Sequence, residues 1–378
     1  MAAGTSICVT GSKGFIGKNL CQVLSSISQL CVCPLDHDSS SEVIAEALSG
    51  ARVIIHLAGI NRPTDPKGFQ ANAELMRTIC AVLQEARAKP LVVFASSTQA
   101  ALDNPYGDSK RAAEELLKEW VDQSGGSAVV LRLPNVFGKW ARPEYNSAVA
   151  TFCYNIARGL PIRIDDPSRS LDLLYIDDLV QRLTEICLKP DIIRGFSFQE
   201  AAPSYNTTVG FLAETIRAFP DLRSTLTLPD FGDPLVKALY STYLSYLPTD
   251  RFAYQLVRRE DPRGALAEFL RTKEAGQIFV SRTRPGITRG NHFHHSKVEK
   301  FLVLEGTALI RFRHVATSET ASYTVDGKDF KVVDIPPGYT HSIENQGKSD
   351  LVTLFWANEP FDPARPDTIP CEVINDEA

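Results

Sequence analysis

Along residues 1–190, short runs that are apolar throughout alternate with stretches whose apolar positions recur at helical spacing. The runs at 7–10, 53–57, 91–95 and 128–133 read as strands. Residues 15–24, 76–87 and 106–121 read as helices, the last with Ala112, Ala113, Leu116 and Leu117 on one face. Strands with no polar face need cover on both sides, so the pattern predicts a parallel sheet between two layers of helix. The pattern then loosens. Residues 177–188 and 208–219 still have helical spacing, and a stretch containing Pro and Tyr follows at 239–254. From about 277 helical periodicity disappears. Short β-rich runs at 277–283, 301–304, 308–314, 322–325, 331–335 and 351–356 are separated by Gly, Pro and Asn turns. That spacing predicts a small β-barrel or double-sheet jelly roll. The change of texture places one domain at residues 1–245 and a second at 246–378.

Composition narrows the partners. The chain has 378 residues, 44% of them hydrophobic and 22% charged, which predicts folded domains rather than disorder. Net charge is −5 and no basic stripe is present, so neither nucleic acid nor an anionic membrane is expected as a partner. No apolar run approaches the roughly 20 residues of a membrane span, and no secretory signal is visible, so a cytoplasmic location is expected. Eight cysteines occur without a CxxC pair, which reads as reduced thiols rather than a disulfide frame or a Cys-type zinc site. Histidine is uneven: of seven, five lie beyond residue 290 and three of those within 292–295.

The first run ends in Gly11-Ser12-Lys13-Gly14-Phe15-Ile16-Gly17, between a strand and a helix. Glycines there permit a tight turn and close backbone approach, and the helix points its positive end at a pyrophosphate. Tyr106 and Lys110 share one face of a helix that follows the strand at 91–95 and the cluster Ser96-Ser97-Thr98. An ammonium near a phenol pulls its pKa below the ordinary value of about 10, which makes Tyr106 a usable acid or base near neutrality. Asp36 stands where an acid would bind the ribose 2′-hydroxyl of NAD, whereas Lys13 and His37 would favour NADP.

These residues carry a family resemblance. Residues 1 to about 240 resemble an extended short-chain dehydrogenase/reductase of the nucleotide-sugar epimerase/dehydratase type. The likeness runs through Gly11/Gly14/Gly17, His56-Leu57-Ala58-Gly59, Ser96-Ser97, Tyr106/Lys110, Pro134-Asn135-Val136-Phe137-Gly138 and Tyr175-Ile176-Asp177-Asp178. It implies an α/β Rossmann-like domain with Tyr106 as acid/base and Lys110 holding the nicotinamide ribose. Ser97, in preference to Ser96, would bind the reacting carbonyl. The loop Gly11, Lys13, Gly14, Phe15, Ile16 and Gly17 would hold the cofactor, with Asp36, His37, Leu57, Ala58, Gly59 and Ser96 lining it. NADP(H) is expected, with NAD left open. Asn135 would contact the nucleotide-sugar. The family's phosphate-binding Arg is missing from Leu171-Asp172-Leu173; Arg169 is a substitute or a plain surface charge.

The histidines resolve in the second domain. Gly286, His292, His294, Glu299 and Gly306 match the spacing of the first cupin motif, and Pro336, Gly338, His341 and Asn345 most of the second, where Phe330 replaces its leading Gly. The resemblance implies a cupin jelly roll holding a divalent metal, zinc first, through His292, His294, Glu299 and His341. Such a donor set also suits manganese, iron or nickel. His295 points to the other face of a regular strand. Arg311 and Arg313 share a face and read either as diphosphate ligands or as an exposed basic face.

The whole chain resembles bifunctional capsular-polysaccharide enzymes of the UDP-N-acetyl-L-fucosamine route, through Gly59-Ile60-Asn61-Arg62-Pro63, Asp103-Asn104-Pro105-Tyr106-Gly107, Phe137-Gly138-Lys139-Trp140, residues 240–247 and 311–315. That implies a UDP-2-acetamido-2,6-dideoxy-hexos-4-ulose substrate, C3 epimerisation in the cupin and C4 reduction in the first domain. The product would be UDP-2-acetamido-2,6-dideoxy-talose, made by a homodimer or higher homo-oligomer. Tyr339 is a candidate base. The main alternative is a UDP-4-ketosugar reductase whose cupin only binds sugar or dimerises. A non-catalytic NADP-sensing scaffold and an O2-using cupin oxygenase complete the set.

Overall fold

The computed structural model describes residues 4–272, 275–364 and 366–374. The chain divides into two compact units: Met1–Arg217 with Gly232–Pro248, and Ala218–Phe231 with Thr249–Ala378.

The first unit opens with β1 (Thr5–Thr10), α1 (Phe15–Leu24), β2 (Leu30–Leu35), α2 (Ser41–Gly50), β3 (Val53–His56), α3 (Ala71–Glu85), β4 (Leu91–Ser97), α4 (Pro105–Ser124) and β5 (Ser127–Leu133). It continues with β6 (Asn135–Phe137), α5 (Ala148–Ala157), β7 (Ser170–Tyr175), α6 (Ile176–Leu188), β8 (Phe196–Gln199), β9 (Tyr205–Thr208) and α7 (Val209–Ala218). After α8 (Leu222–Thr225), a short helix of the second unit, the first unit resumes with α9 (Pro234–Ser245).

Six strands form a parallel sheet in the order β2-β1-β3-β4-β5-β8. Every residue of β3 and β4 is buried, which is why those runs carry no polar face. Along β1 successive side chains alternate between two cores. Ile7 and Val9 pack with Leu20 and Leu24 of α1 and Leu179 of α6; Cys8 packs with Leu48 of α2, Met76 of α3 and Leu117 of α4. β2 escaped the periodicity reading because it is an edge strand, half buried, where Pro34 is tolerated. The Pro- and Tyr-containing stretch is largely helical. Asp233 accepts from the amides of Leu235 and Val236, and Pro234 occupies the first helical turn of α9. A second small sheet pairs β6 parallel and β9 antiparallel with β7.

The second unit is an antiparallel double sheet. Its strands are β10 (Arg258–Asp261), β11 (Gly264–Thr272), β12 (Gly276–Thr283), β13 (Thr288–Phe293), β14 (Glu299–Glu305), β15 (Thr307–His314), β16 (Thr320–Asp326), β17 (Val332–Ile335), β18 (Tyr339–Asn345), β19 (Leu351–Ala357) and β20 (Ile369–Pro370). One sheet runs β10-β11-β12-β19-β14-β17, the other β16-β15-β18-β13-β20. Ala308, Ile310 and Phe312 alternate inward along β15 and meet Phe301, Val303 and Phe355 of the facing sheet. The chain is thus an α/β Rossmann-like unit and an all-β cupin unit. Ala218–Phe231 joins the latter through a Thr227–Arg271 bridge. All eight cysteines are free. Among the described residues, no helix is long and apolar enough to cross a membrane.

Candidate functional site

In the first unit β2 and β3 flank β1 on opposite sides, so the strand order reverses there. A ligand crevice opens at such a switch point, outside the carboxyl ends of the strands. Thr10 and His56 are register neighbours and both end their strands, so the turns after β1 and β3 meet at the same level, while β4 runs on from Phe94 to Ser97. Gly11 has φ +71°, and a Cβ there would lie 2.7 Å from the Ala58 nitrogen. At Gly17 a Cβ would overlap the Gly11 carbonyl oxygen. Helix α1 starts after Gly14 with no side-chain cap and no acid in its first turn, so no side chain of that turn claims its first amides. Phe15 and Ile16 anchor that turn on the core. Glycine cradle and uncapped helix fit a dinucleotide pyrophosphate.

Asp36 follows β2 and accepts from the Lys13 amide at 2.7 Å and the His37 ring at 2.6 Å. Burial pushes the Asp36 carboxyl up, but these hydrogen bonds outweigh it and hold the group below its ordinary value. The Lys13 ammonium is paired with Asp38 at 2.5 Å. Both side chains that would welcome a 2′-phosphate, Lys13 and His37, are therefore turned onto carboxylates. Lys13 borders a cavity of about 900 Å³ that Ser12, Asp36, Asp38, Ser39 and Trp140 also line.

Ser97 ends β4 and Tyr106 sits in the first turn of α4, which Asn104 caps by accepting from the Gly107 amide. Ser97 faces the Tyr106 phenol, and its hydroxyl oxygen accepts from the Gln99 amide at 3.2 Å. Burial pushes the phenol above its ordinary value, and only the nearby Ser97 opposes that. Lys110 is buried and donates to the Ala95 carbonyl at 3.1 Å, with its ammonium 5.9 Å from the Tyr106 ring centre. Burial pulls Lys110 itself down to about 8. The expectation that Lys110 drags the phenol down is thus corrected: at neutral pH Tyr106 carries its proton. Ser96 commits its hydroxyl to buried Glu114 at 2.5 Å, which Arg132 also clamps with two bonds.

In the second unit β13 and β18 pair with His292 opposite His341, while Glu299 opens β14 in the facing sheet. One donor atom from each of His292, His294, Glu299 and His341 lies within 4.8 Å of the others. The Nε2 atoms of His294 and His341 stand 3.4 and 3.5 Å from the Glu299 carboxylate. Both nitrogens are buried and make no hydrogen bond. Two donors about 2.1 Å from a shared ion, at a tetrahedral angle, are about 3.4 Å apart. Burial pushes the Glu299 carboxyl up, but the flanking imidazoles override it and hold it at about 2. Burial, then His341 and His294, pull His292 down to about 4. For His294 burial is outweighed by Glu299 and the Asp367 carbonyl, and it moves up. The donor set fits a divalent metal.

Residues 7–195 match the model of the NAD dependent epimerase/dehydratase family. The chain belongs to that family. Residues 259–369 match the polysaccharide biosynthesis C-terminal domain. A UDP-2-acetamido-2,6-beta-L-arabino-hexul-4-ose reductase of Pseudomonas aeruginosa is 44% identical over 97% of this chain and 98% of its own length. The crystal structure of the capsular polysaccharide assembling protein CapF from Staphylococcus aureus superposes with TM-score 0.88 at 41% identity, covering 97% of this chain and all of that one. A Thermus thermophilus UDP-glucose 4-epimerase in complex with NAD shares the fold, with TM-score 0.51 and 18% identity over 64% of this chain and 99% of that one.

Within this family member the remaining expected residues scatter. Asn135 opens β6, exposed, and faces Leu173 across the ladder; Arg169 is exposed and lies ahead of β7. Arg311 is paired with Glu344 at 2.6 Å, and Arg313 donates to the Val373 carbonyl at 3.1 Å, so neither guanidinium is free for a diphosphate. Tyr339 packs against the His314 ring. His295 packs on Phe293, outside the donor cluster. Sequence reading missed Asn72. Buried on α3, it clamps both backbone groups of Ile60 and donates to Ser109, whose hydroxyl bonds the Tyr106 carbonyl. It thereby ties the Leu57-Ala58-Gly59 turn to the tyrosine turn, and no motif signals a lone helical Asn.

Proposed function

We propose that the chain is a UDP-sugar 4-ketone reductase with a second, metal-dependent epimerising site, serving the synthesis of a surface-polysaccharide precursor. The substrate is a UDP-2-acetamido-2,6-dideoxy-hexos-4-ulose; C3 is epimerised in the cupin unit and C4 reduced in the first unit, giving UDP-2-acetamido-2,6-dideoxy-talose. The observation that carries this reading is the meeting of half-buried Tyr106 with Ser97 and with the Lys110 ammonium, 5.9 Å from the Tyr106 ring, in a unit whose glycine cradle fits a dinucleotide. The Pseudomonas aeruginosa reductase, similar over nearly the whole length, supports the substrate class.

When bound, the nicotinamide cofactor supplies the hydride, and a divalent metal supplies Lewis-acid polarisation of the ketone. Tyr106 donates its proton to the C4 oxygen as the alkoxide develops, and Ser97 hydrogen-bonds that oxygen. Lys110, fixed by the Ala95 carbonyl and close beneath Gly59, holds the nicotinamide ribose. Asp36, with Lys13 and His37 engaged by carboxylates, favours a free ribose 2′-hydroxyl, so NADH is preferred to NADPH. In the cupin, His292, His294, Glu299 and His341 would hold the metal, whose Lewis acidity would acidify the C3–H next to the ketone.

The test supplies the 4-keto UDP-sugar and NADH or NADPH in D2O and reads the product by NMR. Deuterium at both C3 and the C4 hydroxyl-bearing centre's neighbourhood is not required: label at C3 and unlabelled hydride at C4 is the expected outcome. Reduction without C3 label would reduce the cupin to a binding or dimerising module. No reduction with either cofactor sinks the reading.

A further inference from the structure

The segment after residue 365 lies along the strand that carries His292. β20 pairs with β13 at Pro370–His292 and Ile369–Phe293, and the Cys371 amide donates to the Asn291 carbonyl at 2.9 Å. Next to His341, the Thr340 hydroxyl donates to the Cys371 carbonyl at 2.5 Å. The densest contact is Asp367. Its carboxylate accepts from three successive amides, His295, Ser296 and Lys297, each at 2.9 Å, and from the Ser296 hydroxyl at 3.0 Å. Those residues form the turn that joins His294 to Glu299, and successive amides of this kind form an anion cup. Asp367 also has φ +34°, a left-handed conformation that costs free energy unless its surroundings enforce it. That conformation turns its backbone carbonyl onto Nδ1 of His294, at 2.6 Å. The buried Lys297 ammonium donates to the Pro366 carbonyl at 3.0 Å and pins the same bend.

We propose that Asp367 is a positioning residue for the metal centre: its carboxylate locks the 295–297 turn, and its carbonyl fixes His294 in the tautomer that aims Nε2 at Glu299 and His341. The proposal rests on the metal reading of those four residues. A carbonyl accepting from Nδ1–H leaves Nε2 with its lone pair free, and outer partners of this kind set the ring orientation and basicity of a ligand imidazole. The carbonyl comes from a segment 73 residues beyond His294, so this centre depends on chain far from its ligand strand.

The experiment loads the full-length protein with Zn2+ or Co2+ and measures affinity by competition with a chelator. Asp367→Ala should weaken binding about 10- to 100-fold and alter the Co2+ visible bands, with the reductase unit's cofactor affinity unchanged. Asp367→Asn retains an acceptor oxygen and should recover part of that loss. 15N NMR of the metal-free protein should show the His294 tautomer fixed in the wild type and mixed in the alanine variant. Wild-type affinity and bands in a folded Asp367→Ala protein would overturn the positioning role alone. Should that variant fail to fold, unchanged affinity and tautomer in Asp367→Asn overturn it instead. A wild type that takes up neither metal sinks the metal reading and this proposal together.

Discussion

The two units build their sites in opposite ways. In the first, backbone does much of the work: the turns after β1 and β3 meet at the sheet's switch point, and glycines clear the space. In the second, side chains do it, reaching inward from two facing sheets to one buried point. The difference teaches where each site is vulnerable. A loop-built crevice depends on register between parallel strands. A side-chain cage depends on ring orientation, which outer hydrogen bonds supply.

If the chemistry is divided this way, variants in one unit should leave the other's signal intact. The largest effect is expected at Tyr106→Phe, which removes the proton donor. Ketone reduction should fall about 10²- to 10⁴-fold while deuterium exchange at C3 persists. Loss of both signals would break the division. His292→Ala should lower metal affinity by more than about 100-fold, since a ligand outweighs its outer partner, and abolish C3 exchange. Reduction of the ketone should survive with changed product configuration. Unchanged product configuration would leave the cupin without a catalytic role.

A third variant sharpens the comparison through pH. Lys110 titrates at about 8 in the fold against an ordinary 10.5. Below 8 the fold bears the whole cost of a buried ammonium; between 8 and 10.5 the folded lysine sheds its proton first and the cost fades. Lys110→Met should therefore gain on the order of 2 kcal/mol at pH 7, after the lost bond to Ala95 is counted, and the gain should vanish by about pH 10.5. Denaturant unfolding across that range checks it; a gain that grows with pH contradicts the burial argument. Asp36→Ala should move the NADPH:NADH affinity ratio about tenfold towards NADPH, read by equilibrium binding. The smallest effect is expected at Arg311→Gln. Its partly exposed pair with Glu344 should contribute less than about 1 kcal/mol, and affinity for the UDP-sugar should not change.

Much of this was legible in the chain. The mostly apolar runs in β3 and β4 announced a covered parallel sheet, and the short β-rich runs beyond 277 a barrel or double sheet. The elements that hid did so for local reasons. β2 is an edge strand with a Pro, so its burial is partial. The helix α9 was signalled only by its Asp233-Pro234 start, inside a stretch whose composition reads as irregular. Spacing placed His292 and His294 on one strand face but was silent on Asp367, because a backbone carbonyl leaves no mark on residue identity.

The sequence by itself determined the two-part architecture and which residue types stand at which spacing, because hydrophobic period and turn chemistry are local properties of the chain. Tertiary structure alone decided charge and direction. It turned Lys13 onto Asp38, Arg311 onto Glu344 and the Ser96 hydroxyl onto Glu114. It also buried Tyr106 and Lys110 deeply enough to set their protons. Those outcomes follow from desolvation and from partners far along the chain, which only the folded packing brings together.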